Sequence, residues 1–196
     1  TGQSVGHGLG TTPALIINKA TTWQNAWGVW HQSIPGNATM YLNDTSTPGA
    51  VQLGTPNSTT FQTTHVGTYT VGTYINYCFK EVPGFSKFSS YTGNGSATGP
   101  VVNTGFEPAF IIIRDITASD NWGIIDNKRA PSNPRQTWLR ANLNNVEFTN
   151  TVDSVNFFSN GFQVAGTSVS NFLNESGHTF IYIAFGSDAS AAPALP

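Results

Sequence analysis

The stretch GTTPALIINK, residues 10–19, occurs a second time as GFEPAFIIIR, residues 105–114. The two stretches share Gly, Pro, Ala and a pair of Ile at equivalent places, each 95 positions apart (105 against 10, 114 against 19). The match continues without a gap to Trp27-Gly28, which corresponds to Trp122-Gly123. Self-similarity at a constant spacing is typical of a duplicated supersecondary unit, so we predict that two related units build this fold.

A later pair of segments sets the extent of each unit. Residues 74–79 (YINYCF) correspond to residues 180–185 (FIYIAF), so the spacing grows from 95 to 106 and the second copy holds eleven extra residues. We predict a first β repeat at residues 1–97 and a second at residues 98–188, packed as one unit, and then an Ala/Pro-rich tail at residues 189–196. The start at Thr1, without an initiator Met and at a repeat boundary, predicts that the chain was cut from a longer protein.

Short runs of β-branched and aromatic residues, separated by Gly, Pro and Asn, recur along the chain, and no window has the apolar period of a helix. We predict an all-β protein, a β-sandwich or jelly roll built from the internal duplication. Alternation along one run predicts that Thr73, Ile75, Tyr77 and Phe79 face a core. The Gly-containing residues 84–95 are interpreted as the bridge between the copies. The predicted strands are Ala14–Lys19, Gly28–Gln32, Thr39–Asn43, Thr73–Lys80, Phe110–Arg114, Gly123–Asp126, Gly161–Ala165 and Thr179–Phe185.

Charge is scarce in this chain, since only 9% of its residues are charged and the formal net charge is −2. The scattered basic residues give no electrostatic footprint for nucleic acid. A hydrophobic fraction of 38% argues against disorder, and no apolar run approaches the ~20 residues of a membrane span. We expect a folded protein with a surface of Thr, Ser, Asn and Gly, and without a nucleic-acid partner, membrane insertion or cofactor.

Five tryptophans supply the candidate contact residues. Trp27 and Trp122 occupy the same repeat position, which predicts that both belong to the core. The other three have dissimilar counterparts in the opposite copy, and one of them lies in a loop rich in Thr, Asn and Gln. Aromatic faces beside amide side chains are a usual way to hold a sugar, and the alternatives are a loop anchor or a subunit contact. The predicted glycan or partner contacts are Trp23, Gln24, Asn25, Trp30 and Trp138.

Catalysis and metal binding have little support in the sequence. Glycoside hydrolysis needs two carboxylates about 5–10 Å apart, and the ten acidic residues form no such pair along one predicted strand. The four histidines lack the spacing of metal ligands, and Cys78 corresponds to the small Ala184, which indicates packing. We therefore expect no catalytic residues and no metal site, although a site assembled from distant segments stays open.

Several motifs together resemble an uncharacterised repeat domain of bacteriophage virion proteins, particularly those of marine phages. The resemblance spans about Val5 to Gly186. It implies a concanavalin-like or jelly-roll β-sandwich, found in large tail-associated or fibre-like proteins, with a structural or adhesive role. It brings no catalytic residues with it. The motifs are HGLG (7–10), Pro13 with IINK (16–19), WGV (27–29), GFS (84–86), YTGNG (91–95), GFEPA (105–109), SNGF (159–162) and AF (184–185).

The resemblance and the composition lead to three functional hypotheses. The first is a tail-fibre or receptor-binding module on the virion surface that contacts host surface glycan without catalysis, as a homo-oligomer. The second is a capsid decoration or head-fibre protein that binds other virion subunits. The third is a glycan depolymerase. An adhesin should expose aromatic rings beside amides, whereas a depolymerase should show two convergent carboxylates in a groove.

Overall fold

The runs of β-branched and aromatic residues form strands throughout the part of the chain that the computed structural model describes, residues 3–49, 53–63, 72–166 and 171–187. All eight predicted strands are present, which confirms the all-β prediction, and the predicted tail at residues 189–196 lies outside the described residues. The elements are β1 (Ser4–Gly6), β2 (Leu15–Ala20), β3 (Gly28–His31), β4 (Met40–Tyr41), β5 (Thr60–Gln62), β6 (Tyr74–Phe79), β7 (Ser86–Thr92), β8 (Thr98–Asn103), β9 (Pro108–Asp115), β10 (Gly123–Asp126), β11 (Thr137–Arg140), β12 (Phe148–Thr149), β13 (Asp153–Phe158), β14 (Gly161–Gly166), β15 (Thr179–Gly186) and the helical turn α1 (Asn171–Asn174).

The strands form antiparallel sheets that stack in four layers. A two-stranded sheet (β1-β5) covers a four-stranded sheet (β4-β3-β2-β6), and a six-stranded sheet (β12-β11-β10-β9-β15-β7) is covered by a three-stranded sheet (β13-β14-β8). Three clusters of buried apolar side chains fill the spaces between successive layers. The arrangement is a β-sandwich in which the four-stranded and six-stranded sheets lie back to back.

Strand β15 runs through the middle of the six-stranded sheet, between β9 and β7. Successive side chains of a strand point to opposite faces, so one set of its residues faces the three-stranded sheet and the other faces the four-stranded sheet. Phe180, Tyr182 and Ala184 belong to the cluster between the six-stranded and three-stranded sheets. Ile181 and Ile183 belong to the cluster between the six-stranded and four-stranded sheets. Both faces of β15 are therefore core.

The two predicted units share the apolar cluster between the four-stranded and six-stranded sheets, which we call the central cluster. Leu15, Val29 and Phe88 of the first unit pack there with Trp122 and Ile183 of the second. The segments interpreted as the bridge between the copies, residues 84–88 and 91–95, include the strand β7, which pairs with β15 along its whole length. The chain thus passes from one unit to the other through an edge strand of the six-stranded sheet.

Strand registers in the two halves follow the offsets of the predicted duplication. β2 and β3 pair with Ile16 opposite Trp30, and β9 and β10 pair with Ile111 opposite Ile125. The flanking strands β6 and β15 agree as well, since their residues opposite Ile16 and Ile111 are 106 positions apart (184 against 78). The duplication itself stays a prediction from the sequence, and these equal registers support it.

The prediction that Thr73, Ile75, Tyr77 and Phe79 face a core is wrong at three positions, and Thr73 is exposed. Ile75 and Tyr77 are 47% and 45% exposed, although the alternation places them on the same face as Phe79. Phe79 packs against the central cluster, so the six-stranded sheet covers only that end of the face.

A buried histidine links the two large sheets. His31, at the end of β3, is fully buried, and its Nε2 donates a hydrogen bond to the backbone oxygen of Tyr182 in β15 at 3.2 Å. Its Nδ1 accepts a hydrogen bond from the backbone N–H of Ser33 at 3.1 Å, so these bonds fit the neutral ring. Burial lowers the pKa of His31 from 6.5 to about 4, because the interior disfavours the imidazolium.

We expect His31 to make folding stability sensitive to mild acid. Between pH 6.5 and pH 4 the unfolded chain binds a proton at this residue that the folded chain does not, so the free energy of unfolding falls as the pH falls. The loss amounts to about 3 kcal/mol over this range, at ~1.4 kcal/mol per pKa unit. His31→Gln keeps a donor and cannot titrate, so urea unfolding at pH 7, 5.5 and 4 should show a shallower decline. Equal slopes for the two proteins would contradict this assignment.

Candidate functional site

The uncovered end of the four-stranded sheet presents an exposed apolar surface with one positive charge. Lys19 of β2 lies opposite Ile75 of β6, and Ile17, two residues earlier on the same face, lies opposite Tyr77. Trp27, immediately before β3, continues this face across β2. We call Lys19, Trp27, Ile75 and Tyr77 the aromatic platform.

The geometry of the platform brings two aromatic rings together beside an ammonium group. The rings of Trp27 and Tyr77 are near parallel, with centroids 6.4 Å apart and an interplanar angle of 26°. The Nζ of Lys19 lies 5.5 Å from the centroid of the Trp27 ring and donates a hydrogen bond to the backbone oxygen of Asn25. The backbone N–H of Trp27 donates to Oδ1 of Asn43 at 2.8 Å, which fixes the turn that carries the indole.

The loop between β2 and β3 borders the platform. Gln24 is exposed, and Asn25 is half-buried and contacts Lys19 through its backbone oxygen. Trp23 is also half-buried, but it packs edge-on against Tyr74, with ring centroids 6.5 Å apart. Tyr74 precedes Ile75 and so points to the other face of the sheet. Of the predicted contacts, Asn25 touches the platform through its backbone oxygen, Gln24 precedes it in the loop, and Trp23 packs on the other face of the sheet.

The predicted contact roles of Trp30 and Trp138 are wrong, because both side chains are core. Trp30 is 4% exposed and packs with Phe61 in the cluster between the two-stranded and four-stranded sheets. Trp138 is fully buried under the three-stranded sheet, edge-on to Phe172 at 5.6 Å. The residues equivalent to Trp30 and Trp138 in the opposite copy are of other types because the core clusters differ in size. A dissimilar counterpart therefore did not indicate an exposed side chain.

The platform has a buried equivalent in the second half of the chain. Arg114 and Trp122 lie 95 positions after Lys19 and Trp27, and the Arg114 guanidinium carbon is 5.8 Å from the centroid of the Trp122 ring. Trp122 is 1% exposed, as predicted, whereas Trp27 is 36% exposed, so the prediction that Trp27 is core is wrong. Burial lowers the pKa of Arg114, which nevertheless stays a cation at neutral pH.

A loop of the first half covers this buried pair. The indole N–H of Trp122 donates to the backbone oxygen of Tyr41 at 2.9 Å. The Nη2 of Arg114 donates to the backbone oxygens of Thr45 and Ser46 at 2.5 and 2.9 Å. The same arrangement of a cation beside a tryptophan is therefore closed by protein in one half and open to solvent in the other.

Several titratable groups elsewhere in the described residues form ion pairs, among them His178, whose Nε2 lies 3.9 Å from Oε1 of Glu175. The buried carboxylate of Asp115 accepts a hydrogen bond from Nδ1 of His178 at 2.7 Å, and this bond raises the pKa of His178. Among the described residues, no group of three or more His, Cys, Asp or Glu could hold a metal ion, and no helix could span a membrane. The other pairs are Lys87 with Glu81, and Arg129 with Asp126 and Glu147.

The two equivalent tryptophans should differ sharply in their contribution to stability. Trp122→Ala removes a fully buried ring from the central cluster and should lower the free energy of unfolding by about 3–5 kcal/mol. Trp27→Ala acts at an exposed position and should cost about 1 kcal/mol or less. Chemical denaturation of both variants beside the parent protein measures the difference. Similar losses for the two would mean that the platform is covered in solution.

The comparisons with known proteins identify a family and leave the chemistry of the site to its geometry. No curated protein and no solved structure matches this chain. A family match covers residues 1–188 and so includes every strand of the four layers and all of the aromatic platform. The chain belongs to the family described as Domain of unknown function (DUF7483).

Proposed function

We propose that this chain is a glycan-binding module on the surface of a bacteriophage particle, of the tail-fibre or receptor-binding kind, and that it acts without catalysis. The observation that carries the binding function is the exposed, near-parallel pair of Trp27 and Tyr77 beside Lys19. The location on a virion rests on the resemblance of the sequence motifs to phage virion repeats.

The chemistry of the platform suits a sugar ring. The axial C–H groups of a hexose form an apolar face, and an aromatic ring buries that face at little conformational cost. The hydroxyl groups around the ring edge need donors and acceptors, which the exposed amide of Gln24 and the ammonium of Lys19 supply. A flat aromatic surface with polar groups at its rim therefore fits a glycan better than an apolar peptide.

A panel of bacterial surface polysaccharides and oligosaccharides tests this function. The parent protein should bind at least one member, and Trp27→Ala and Tyr77→Ala should each weaken that binding tenfold or more, because each removes one ring of the exposed aromatic pair. Phe158→Ala is the matched control, since Phe158 is an aromatic residue of β13 that is 43% exposed and belongs to the opposite outer sheet.

The alternative functions predict different results in the same experiment. Shortened products, detected by mass spectrometry after incubation, would favour a glycan depolymerase. Binding that is equally strong in Trp27→Ala and Phe158→Ala would place the glycan site elsewhere on the protein. A complete absence of binding by the folded oligomer would overturn the glycan function.

A second candidate function is virion architecture, as a capsid decoration or head-fibre protein. It is favoured by the buried equivalent of the platform, which a protein loop covers, and by two exposed apolar residues, Leu143 at 44% and Val146 at 85%. If copies or other virion subunits cover the platform, Trp27→Ala should weaken self-association in sedimentation velocity. An unchanged oligomeric state would indicate that other copies of the chain do not cover the platform. The platform would then remain available to a glycan.

A further inference from the structure

The buried equivalent of the platform shows what kind of atom this arrangement binds. Every hydrogen bond that Arg114 and the Trp122 indole make in the covered half ends on an oxygen: one of Tyr41, one of Thr45 and one of Ser46. The aromatic ring lies beside the cation and holds it at the edge of the apolar surface. A cation beside a tryptophan is thus an oxygen-binding unit in this fold.

The open unit has donors to spare. The Lys19 ammonium has three N–H donors, and the structure gives it one acceptor, the backbone oxygen of Asn25. The indole N–H of Trp27 has no acceptor within residues 3–49, 53–63, 72–166 and 171–187. Both groups lie at the solvent-facing end of the sheet, so an external ligand can supply the missing oxygens.

The charge of the open unit is not neutralised. None of the ion pairs among the described residues includes Lys19, whereas Lys87 and Arg129 are each paired with a carboxylate. A carboxylate adds the Coulomb attraction of opposite charges to its hydrogen bond with an ammonium, whereas a neutral hydroxyl supplies the hydrogen bond alone. A ligand that brings its own carboxylate to Lys19 therefore gains more here than a neutral sugar does.

We propose that the platform selects an acidic sugar, a hexuronic acid unit or another carboxylate-bearing hexose, with the ring stacked on Trp27 and Tyr77 and the carboxylate bound to Lys19. This inference rests on the proposed glycan-binding function and adds the chemical class of the ligand. The exposed Gln24 precedes Asn25 in the same loop, and its amide would supply a partner for the ring hydroxyls.

Matched pairs of oligosaccharides test the selectivity. The pairs share backbone and linkage and differ only in the carboxylate: galacturonate against galactose, glucuronate against glucose, and mannuronate against mannose trimers. Calorimetry or a glycan array at 50 mM salt should show, for at least one pair, that the acidic member binds about tenfold more tightly. The advantage should shrink at 500 mM salt, because the contact is partly exposed to solvent.

Three variants separate the charge contribution from the stacking contribution. Lys19→Gln should remove the preference for the acidic member, and Lys19→Arg should retain it. Lys128→Gln is the control with the same change in charge, since Lys128 is exposed and lies in the loop after β10, in the other half of the chain. Trp27→Ala should weaken the binding of both members of a pair, because stacking does not depend on the carboxylate.

The possible results show which proposal fails, the selectivity for acidic sugars or the binding of glycans. Equal affinities within every pair, or an equal loss of both members in Lys19→Gln, would overturn the acidic selectivity and leave the glycan function intact. An acidic preference that survives Lys19→Gln would also overturn the assignment to this lysine. No binding of any member would overturn both proposals.

Discussion

Burial of strand β15 on both faces is the constraint on which the rest of the structure depends. Phe180, Tyr182 and Ala184 need the three-stranded sheet above them, and Ile181 and Ile183 need the four-stranded sheet below. Fully burying such a side chain contributes about 1.5–3 kcal/mol, so removing either layer would expose several such contributions at once. Residues of both halves of the chain therefore pack around one strand, which is the last strand described.

The aromatic platform is a consequence of how the halves stack. Each half of the chain carries a cation beside a tryptophan: Lys19 with Trp27, and Arg114 with Trp122. A loop of the first half covers the second pair, whereas Trp27 of the first pair is exposed. The residue types agree with this difference. Arg114 has a planar guanidinium that serves two backbone oxygens in a closed space, whereas Lys19 has a compact, strongly hydrated ammonium that remains near solvent. Stacking of the halves therefore makes one of two similar faces part of the core and leaves the other exposed.

The sequence predicts the strands well and the binding surface poorly, for a physical reason. Alternation identifies which residues share a face, and it did so for Ile75, Tyr77 and Phe79. It cannot say where along the strand a second sheet ends, which is why Phe79 is packed and the other two are exposed. The equivalence of Trp27 and Trp122 between the copies wrongly predicted that both are buried. Equivalent positions in the two stacked halves have different neighbours, so one ring is buried and the other is exposed. The useful signal was the polar Tyr77, whose counterpart is the apolar Ile183.

The small size of the platform limits the affinity of one copy and gives meaning to the proposed oligomer. Under the proposed function, two rings and one ammonium would hold a single sugar unit. Such a small contact would leave the lost translational and rotational freedom largely uncompensated, so it predicts weak binding by an isolated chain. A polysaccharide repeats its acidic units, and a homo-oligomer on a particle repeats the platform. Once one platform is engaged, the next binds at a high effective concentration, so several weak contacts become a firm attachment. Lys19 is half-buried, so salt would still weaken each proposed contact with an acidic sugar.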